Sequence, residues 1–121
     1  MKKLAETVHQ VVQLVQTRRL SLTNEKQTQS DIADVFTVAG IPFEREVRLC
    51  EADIVDFMVA DTIAIEVKIK GQRKAIFRQL ERYAGHDRVT HILLFTSVAM
   101  MLPGEIGGKP AHVASLSRGW L

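Results

Sequence analysis

The chain predicts an α/β domain built on a mixed β-sheet with flanking helices, and three stretches carry that expectation. Residues 63–69 alternate strictly, with Ile63, Ile65, Val67 and Ile69 on one face and Ala64, Glu66 and Lys68 on the other, as a half-buried strand does. Residues 54–59 form a second run, apolar and β-branched apart from Asp56 and Met58, separated from the first by only Ala60, Asp61 and Thr62, which suits a tight hairpin. Residues 90–96 are an unbroken apolar run suited to a strand covered on both faces. A helical stretch precedes it, so a right-handed crossover would set this strand parallel to 63–69.

Each element follows in order. Over residues 2–19, Leu4, Val8, Val11 and Val15 fall in one narrow helical stripe joined by Leu14, and Arg18 and Arg19 suit the C-terminal end of the helix dipole. This stripe could cover the sheet or pair with a second copy, a docking or dimerisation role rather than a catalytic one, with His9 at the surface. A second helix is expected from about Asn24 to Ala39. Asn24 with Gln27 resembles a capping box, and Gly40 followed by Pro42 supplies the stop. At about 100° per residue, Glu25, Gln29, Ile32, Phe36 and Ala39 share its core-facing side. Residues 43–50 read as a strand with Val47 and Leu49 inward, completing an antiparallel meander with 54–59 and 63–69.

Gly71 ends the meander. Residues 73–85 read as a helix with Ile76, Leu80, Tyr83 and Ala84 on its apolar side, Gln79 at the border, and Lys74, Arg78 and Arg82 as an opposite basic stripe. Residues 100–110 are turn-rich and expected to be mobile. Residues 111–116 read as an edge strand, and Trp120 and Leu121 as local or subunit packing. The chain divides into an N-terminal helix (1–20), a core (22–96) and a C-terminal loop and edge strand (97–121) of one domain.

Bulk properties bound the function classes. A chain of 121 residues has room for one core, and 46% apolar with 25% charged residues is ordinary for a soluble globular domain. No apolar run approaches membrane-spanning length and the start lacks a secretory pattern, so a cytosolic protein with no membrane role is expected. A single cysteine, Cys50, excludes an internal disulfide and reads as a small buried residue. Net charge is only +2, yet residues 43–66 hold seven acids against two bases and residues 67–88 hold seven bases against two acids. Carboxylates for a metal followed by cations for phosphate would produce that switch, as would clustering on solvated faces.

Asp56, Glu66 and Lys68 are the candidate chemistry. If Val59 pairs with Ile63, then Asp56 stands opposite Glu66, with Cβ atoms roughly 4.5–5.5 Å apart, and Lys68 shares the face two residues on. A slip of one residue would separate the carboxylates. Two clustered carboxylates repel unless a cation joins them. Magnesium takes such hard oxygen ligands and retains waters, one of which can attack a phosphodiester, while the lysine orients it or stabilises charge on phosphorus.

This pattern resembles the PD-(D/E)XK nuclease superfamily, with Asp56 as the aspartate, Glu66-Val67-Lys68 as the (D/E)XK element and Val55 where the proline of the name stands. Gln79 and Tyr83 resemble the Gln-x-x-x-Tyr element of lambda-exonuclease-type members, and Glu25 is the best match to an acidic residue on the first core helix. The likeness covers about residues 22–96 and is nearest to small phage and prophage nucleases of the virus-type replication-repair and Holliday-junction-resolvase groups. It implies a restriction-endonuclease-like core and a phage-type role in recombination, replication or repair, in a bacterial or phage-infected cell. It also implies a DNA endonuclease using Mg2+ or Mn2+, held by Asp56, Glu66, the Val67 carbonyl and Glu25. Lys68 and Gln79 would complete the catalytic set, and Lys70, Arg73, Lys74, Arg78 and Arg82 would meet nucleic acid. Branched or flapped duplex is the favoured partner, and junction cutting would call for a homodimer. The alternative is a catalytically silent DNA-binding or accessory module with the same fold; a metal-free structural domain is a third reading.

Overall fold

The computed structural model describes residues 3–116. The element order is α1 (Leu4–Gln16), α2 (Glu25–Ala39), β1 (Phe43–Arg48), β2 (Ile54–Val59), β3 (Ile63–Lys68), α3 (Arg73–Ala84), β4 (His91–Thr96), β5 (Glu105–Ile106) and β6 (Lys109–Ser115). One six-stranded mixed sheet runs β1-β2-β3-β4-β6-β5, with β1-β2-β3 antiparallel and β3, β4 and β6 parallel. The expected α/β class and the βββαβ order are present. Among the described residues, no helix is long and apolar enough to cross a membrane.

Alternation along the strands divides the interior in two. Phe57, Val59, Ile63, Ile65, Val67, Leu93 and Phe95 point to the layer formed by α1 and α2, where Val8, Val11, Val15, Ile32 and Phe36 meet them. The α1 stripe is thus spent inside its own chain. Phe36, Phe43 and Phe57 pack edge-on with centroids 5.5–5.8 Å apart, the geometry aromatic quadrupoles favour. On the opposite face, Ile76, Leu80, Tyr83 and Ala84 of α3 cover Met58, Ala64, Ile92 and Leu94. The sheet centre is therefore covered on both sides, which is why β4 is apolar throughout.

The α2 boundaries follow from its punctuation. Asn24 Oδ1 accepts the Gln27 N–H at 2.8 Å, and Gly40 at φ 73° takes the left-handed cap that a side chain would strain. Its buried residues are Thr28, Ile32, Ala33 and Phe36; Ala39, expected inward, is exposed. Thr28 enters the interior because its hydroxyl is satisfied by the Ser21 and Asn24 carbonyls.

The C-terminal stretch departs from expectation in the place of its last strand. Residues 105–110 close a hairpin in which Glu105–Ile106 pairs with Lys109–Pro110 around Gly107 and Gly108, both at positive φ. Strand β6 is an internal strand, parallel to β4 on one side and bordered by β5 on the other. Its His112 and Ser115 are nonetheless exposed. Cys50, expected to be buried, is exposed in the β1–β2 connection. Trp120 and Leu121 lie outside the described residues.

Candidate active site

The β2–β3 register is the one expected: Val59↔Ile63, Met58↔Ala64 and Phe57↔Ile65. The ladder stops there, and the next two positions are Asp56 and Glu66. Side chains take over from backbone at this point. Asp56 Oδ2 accepts the Val67 N–H at 2.8 Å, and Glu66 Oε1 accepts the Asp56 N–H at 3.3 Å. The carboxylates thus occupy the gap where the strands part, instead of standing as a cross-strand pair. On an extended strand the N–H and C=O of one residue aim the same way, so the Val67 carbonyl opens on the same gap.

Two irregularities of the backbone surround this gap. Val55 packs in the α3 layer while Phe57, two residues on, packs in the α1–α2 layer, so β2 breaks its alternation at Asp56. The register that pairs Arg45 with Phe57 and Val47 with Val55 brings Glu46 opposite Asp56, and Glu46 has φ 52°. Non-glycine residues rarely adopt that conformation.

Lys68 Nζ lies 3.5 Å from Glu66 Oε2, so the third member of the expected trio joins the pair. Glu25, at the first turn of α2, accepts the Ile69 N–H at 3.1 Å and fixes α2 against the end of β3. Asp56, Glu66, Lys68, Glu25 and Gln79 all line one cleft of about 580 Å³, together with Lys26, Gln29, Glu46, Arg48 and Ile54. Glu25 is on that wall, but its oxygens do not join those of Asp56 and Glu66 in a three-residue cluster of mutually close ligand atoms.

The electrostatics of the pair are unfavourable in isolation. Burial, followed by the neighbouring Asp56 charge, pushes the Glu66 carboxyl up to about 8, and burial also raises Asp56. Lys68 offsets this only in part. Two oxygen donors sharing a proton-retaining, desolvated gap form a hard donor set that a divalent cation would satisfy.

Tyr83 shows a role its apolar neighbours conceal. It is 1% exposed, yet its hydroxyl reaches the Ile54 carbonyl at 2.9 Å and Glu66 Oε1 at 3.2 Å. One hydroxyl proton serves these two acceptors in turn. Gln79 Nε2 donates to the same hydroxyl at 2.8 Å, so its amide supports Tyr83 rather than reaching Lys68. Burial, then the Glu66 and Asp56 charges, keep the phenol protonated far above its ordinary range.

The basic stripe of α3 is divided. Arg82 Nε donates to Asp53 Oδ1 at 2.9 Å, a structural pairing made by a side chain that stays half exposed. Arg73, Lys74 and Arg78 line a separate groove of about 800 Å³ with Phe77, Met100 and Met101. Lys70 is exposed just beyond β3. The larger groove has Glu81 as its single carboxylate, whereas the smaller cleft holds the Asp56 and Glu66 pair. Lys26 and Arg48 were not singled out from the sequence. Arg48 becomes visible only through the β1–β2 register, and Lys26 only through the docking of α2.

No family model, curated protein or solved structure matches the chain.

Proposed function

We propose that the protein is a divalent-metal-dependent nuclease of the PD-(D/E)XK type that hydrolyses phosphodiester bonds in DNA. The observation that carries this reading is the convergence of Asp56, Glu66 and Lys68 where β2 and β3 part, at the wall of an open cleft. Asp56 and Glu66, with the Val67 carbonyl as a third oxygen, are the donors that would hold magnesium or manganese; Glu25 lies within the same cleft as an outer partner. When bound, such an ion neutralises phosphate charge and makes the attacking water acidic.

The chain's own residues do the rest. Lys68 orients the nucleophile or stabilises the negative charge building at phosphorus. Tyr83 fixes the Glu66 carboxyl, and Gln79 fixes Tyr83. Lys26 and Arg48 place positive charge at the mouth for the phosphate backbone. From the likeness to junction-resolvase and flap-type members we further read the enzyme as structure-selective, acting on flaps or four-way junctions. Cutting both strands of a junction takes two sites, hence two copies.

The test is cleavage of labelled single strands, duplexes, flaps and junctions with magnesium or manganese. Asp56→Ala and Lys68→Ala should each lower the rate by on the order of 100-fold or more while circular dichroism stays native. Unchanged cleavage in either variant would overturn the assignment. A wild-type protein that binds DNA and cuts none of the panel would point to the silent module instead.

A further inference from the structure

Cys50, Asp53 and His86 come together on the far side of the β1–β2 connection, and nothing in the cleft chemistry uses them. The connection is closed on itself: Leu49 N–H and Cys50 N–H both donate to the Asp53 carbonyl, and Asp53 N–H donates to the Cys50 carbonyl. This holds the thiol and the carboxylate face to face, with Cys50 Sγ 3.6 Å from Asp53 Oδ2. His86 arrives from the end of α3, where its N–H bonds the Tyr83 carbonyl and its own carbonyl accepts from Lys109 Nζ at 2.7 Å. Its Nε2 lies 3.1 Å from the same Asp53 Oδ2. One ligand atom from each residue lies within 4.8 Å of the other two, the only such trio of His, Cys, Asp or Glu among the described residues.

We propose that Cys50, Asp53 and His86 form a second metal site, selective for a thiophilic divalent ion such as zinc, which pins the β1–β2 connection to the end of α3. Zinc bonds of about 2.0–2.3 Å in a tetrahedron separate ligand atoms by about 3.3–3.6 Å; the Sγ–Oδ2 and Nε2–Oδ2 separations of 3.6 and 3.1 Å are already near that spacing, and Sγ and Nε2 lie within 4.8 Å of each other. Asp53 is 4% exposed and its other oxygen, Oδ1, is taken by Arg82, which leaves Oδ2 for the ion. Arg82 and Lys109 are the cations beside the site; one is neutralised on Oδ1 and the other is bonded to the His86 carbonyl. Exposed Cys50 gives the ion a route in and leaves a fourth position for water. The sulfur–nitrogen–oxygen set favours zinc, whereas the all-oxygen set of Asp56 and Glu66 favours magnesium or manganese.

Protons balance simply. The thiol releases its proton, the imidazole presents a bare Nε2, and the ion replaces both donors on Oδ2. Asp53 precedes Asp56 by three residues and His86 follows Tyr83 by three, so the ion would brace both elements that frame the cleft. The inference stands whether or not the cleft cuts DNA.

The test is cobalt(II) titration of the reduced, chelator-treated full chain, followed by absorbance. A thiolate-to-cobalt charge-transfer band should saturate at one equivalent, yield to zinc and resist excess magnesium. Zinc should raise the melting temperature of the wild type. His86→Asn and Cys50→Ser should each weaken zinc binding on the order of 100-fold, and Cys50→Ser should lose the band. Asp56→Ala should keep band and affinity. No band in the wild type, or an affinity unmoved by His86→Asn, would overturn the site. Should His86→Asn fail to fold, zinc calorimetry on Cys50→Ser decides alone, because that side chain is exposed.

Discussion

Glu66 is 3% exposed and faces a second carboxylate, so its ionisation opposes the fold. Its carboxyl ionises near 4.5 in an unfolded chain and is pushed up to about 8 in the folded protein. Between those values the folded state keeps a proton that the unfolded state has released. Stability therefore falls as pH rises across the window. Asp56, raised by burial, adds in the same direction. The melting temperature of the metal-free protein should drop from about pH 5 to about pH 8, and Glu66→Gln should flatten much of the slope. Magnesium or manganese, binding only the folded carboxylates, should recover the loss at the alkaline end. Equal slopes in wild type and Glu66→Gln would remove Glu66 as the cause. Tyr83→Phe leaves the Ile54 carbonyl and the Gln79 amide without their partner. Urea titration should show a loss of about 1–3 kcal/mol, with slower cleavage because Glu66 is no longer fixed. The trio was legible because charges interrupt apolar strands and the alternation of residues 63–69 sets Glu66 and Lys68 on one face; the break in β2 at Asp56 was not. Tyr83 was read as core because one helix face serves both burial and the hydroxyl. The Cys50, Asp53 and His86 trio was illegible, since Asp53 and His86 meet only after α3 packs across β2.

At the level of elements, the site depends on the β2–β3 turn. Ala60 and Asp61 have φ 53° and 67°, and Thr62 N–H bonds the Val59 carbonyl, a turn whose twist suits a hairpin and whose central residues are strained. Ala60→Gly should relieve about 1–2 kcal/mol of strain against about 0.4–1 kcal/mol of added freedom in the unfolded chain. A rise in the urea midpoint with an unchanged slope is expected. A fall would mean that Ala60 contributes packing its φ conceals. The turn itself was read from the spacing of two apolar runs, and α2 from Asn24 and Gly40, because both signals are local. The parting of β2 from β3 was not, because it arises from Asp56 taking the Val67 N–H and from the left-handed Glu46 on the neighbouring strand. The place of β6 beside β4 was likewise invisible: parallel pairing is set by crossovers, and six residues of sequence do not say what lies on either side.

Across the whole molecule, two sets of cations among the described residues line open surfaces. Lys26, Arg48 and Lys68 surround the cleft, while Arg73, Lys74 and Arg78 line the groove beyond α3. Arg82 and Arg88 are engaged within the protein, Arg82 with Asp53 and Arg88 with Glu44 and Asp61. The basic half of the charge switch thus resolves into structural pairs through Arg82 and Arg88, Lys68 in a cleft whose lining holds four acids and three bases, and a basic groove of Arg73, Lys74 and Arg78. α3 presents Gln79 to the cleft and Arg78 to the groove, so if the protein cuts DNA as proposed, a substrate that reaches past α3 would meet the groove's cations. Each cation that neutralises a phosphate steepens the salt dependence of binding by about one. Arg73→Ala with Arg78→Ala should therefore lower DNA affinity, reduce the salt slope by about two and leave the single-turnover rate at saturation intact. Lys68→Ala should do the reverse, losing rate while most affinity remains. An unchanged salt slope in the double variant would confine DNA to the cleft and leave the outer groove to another use.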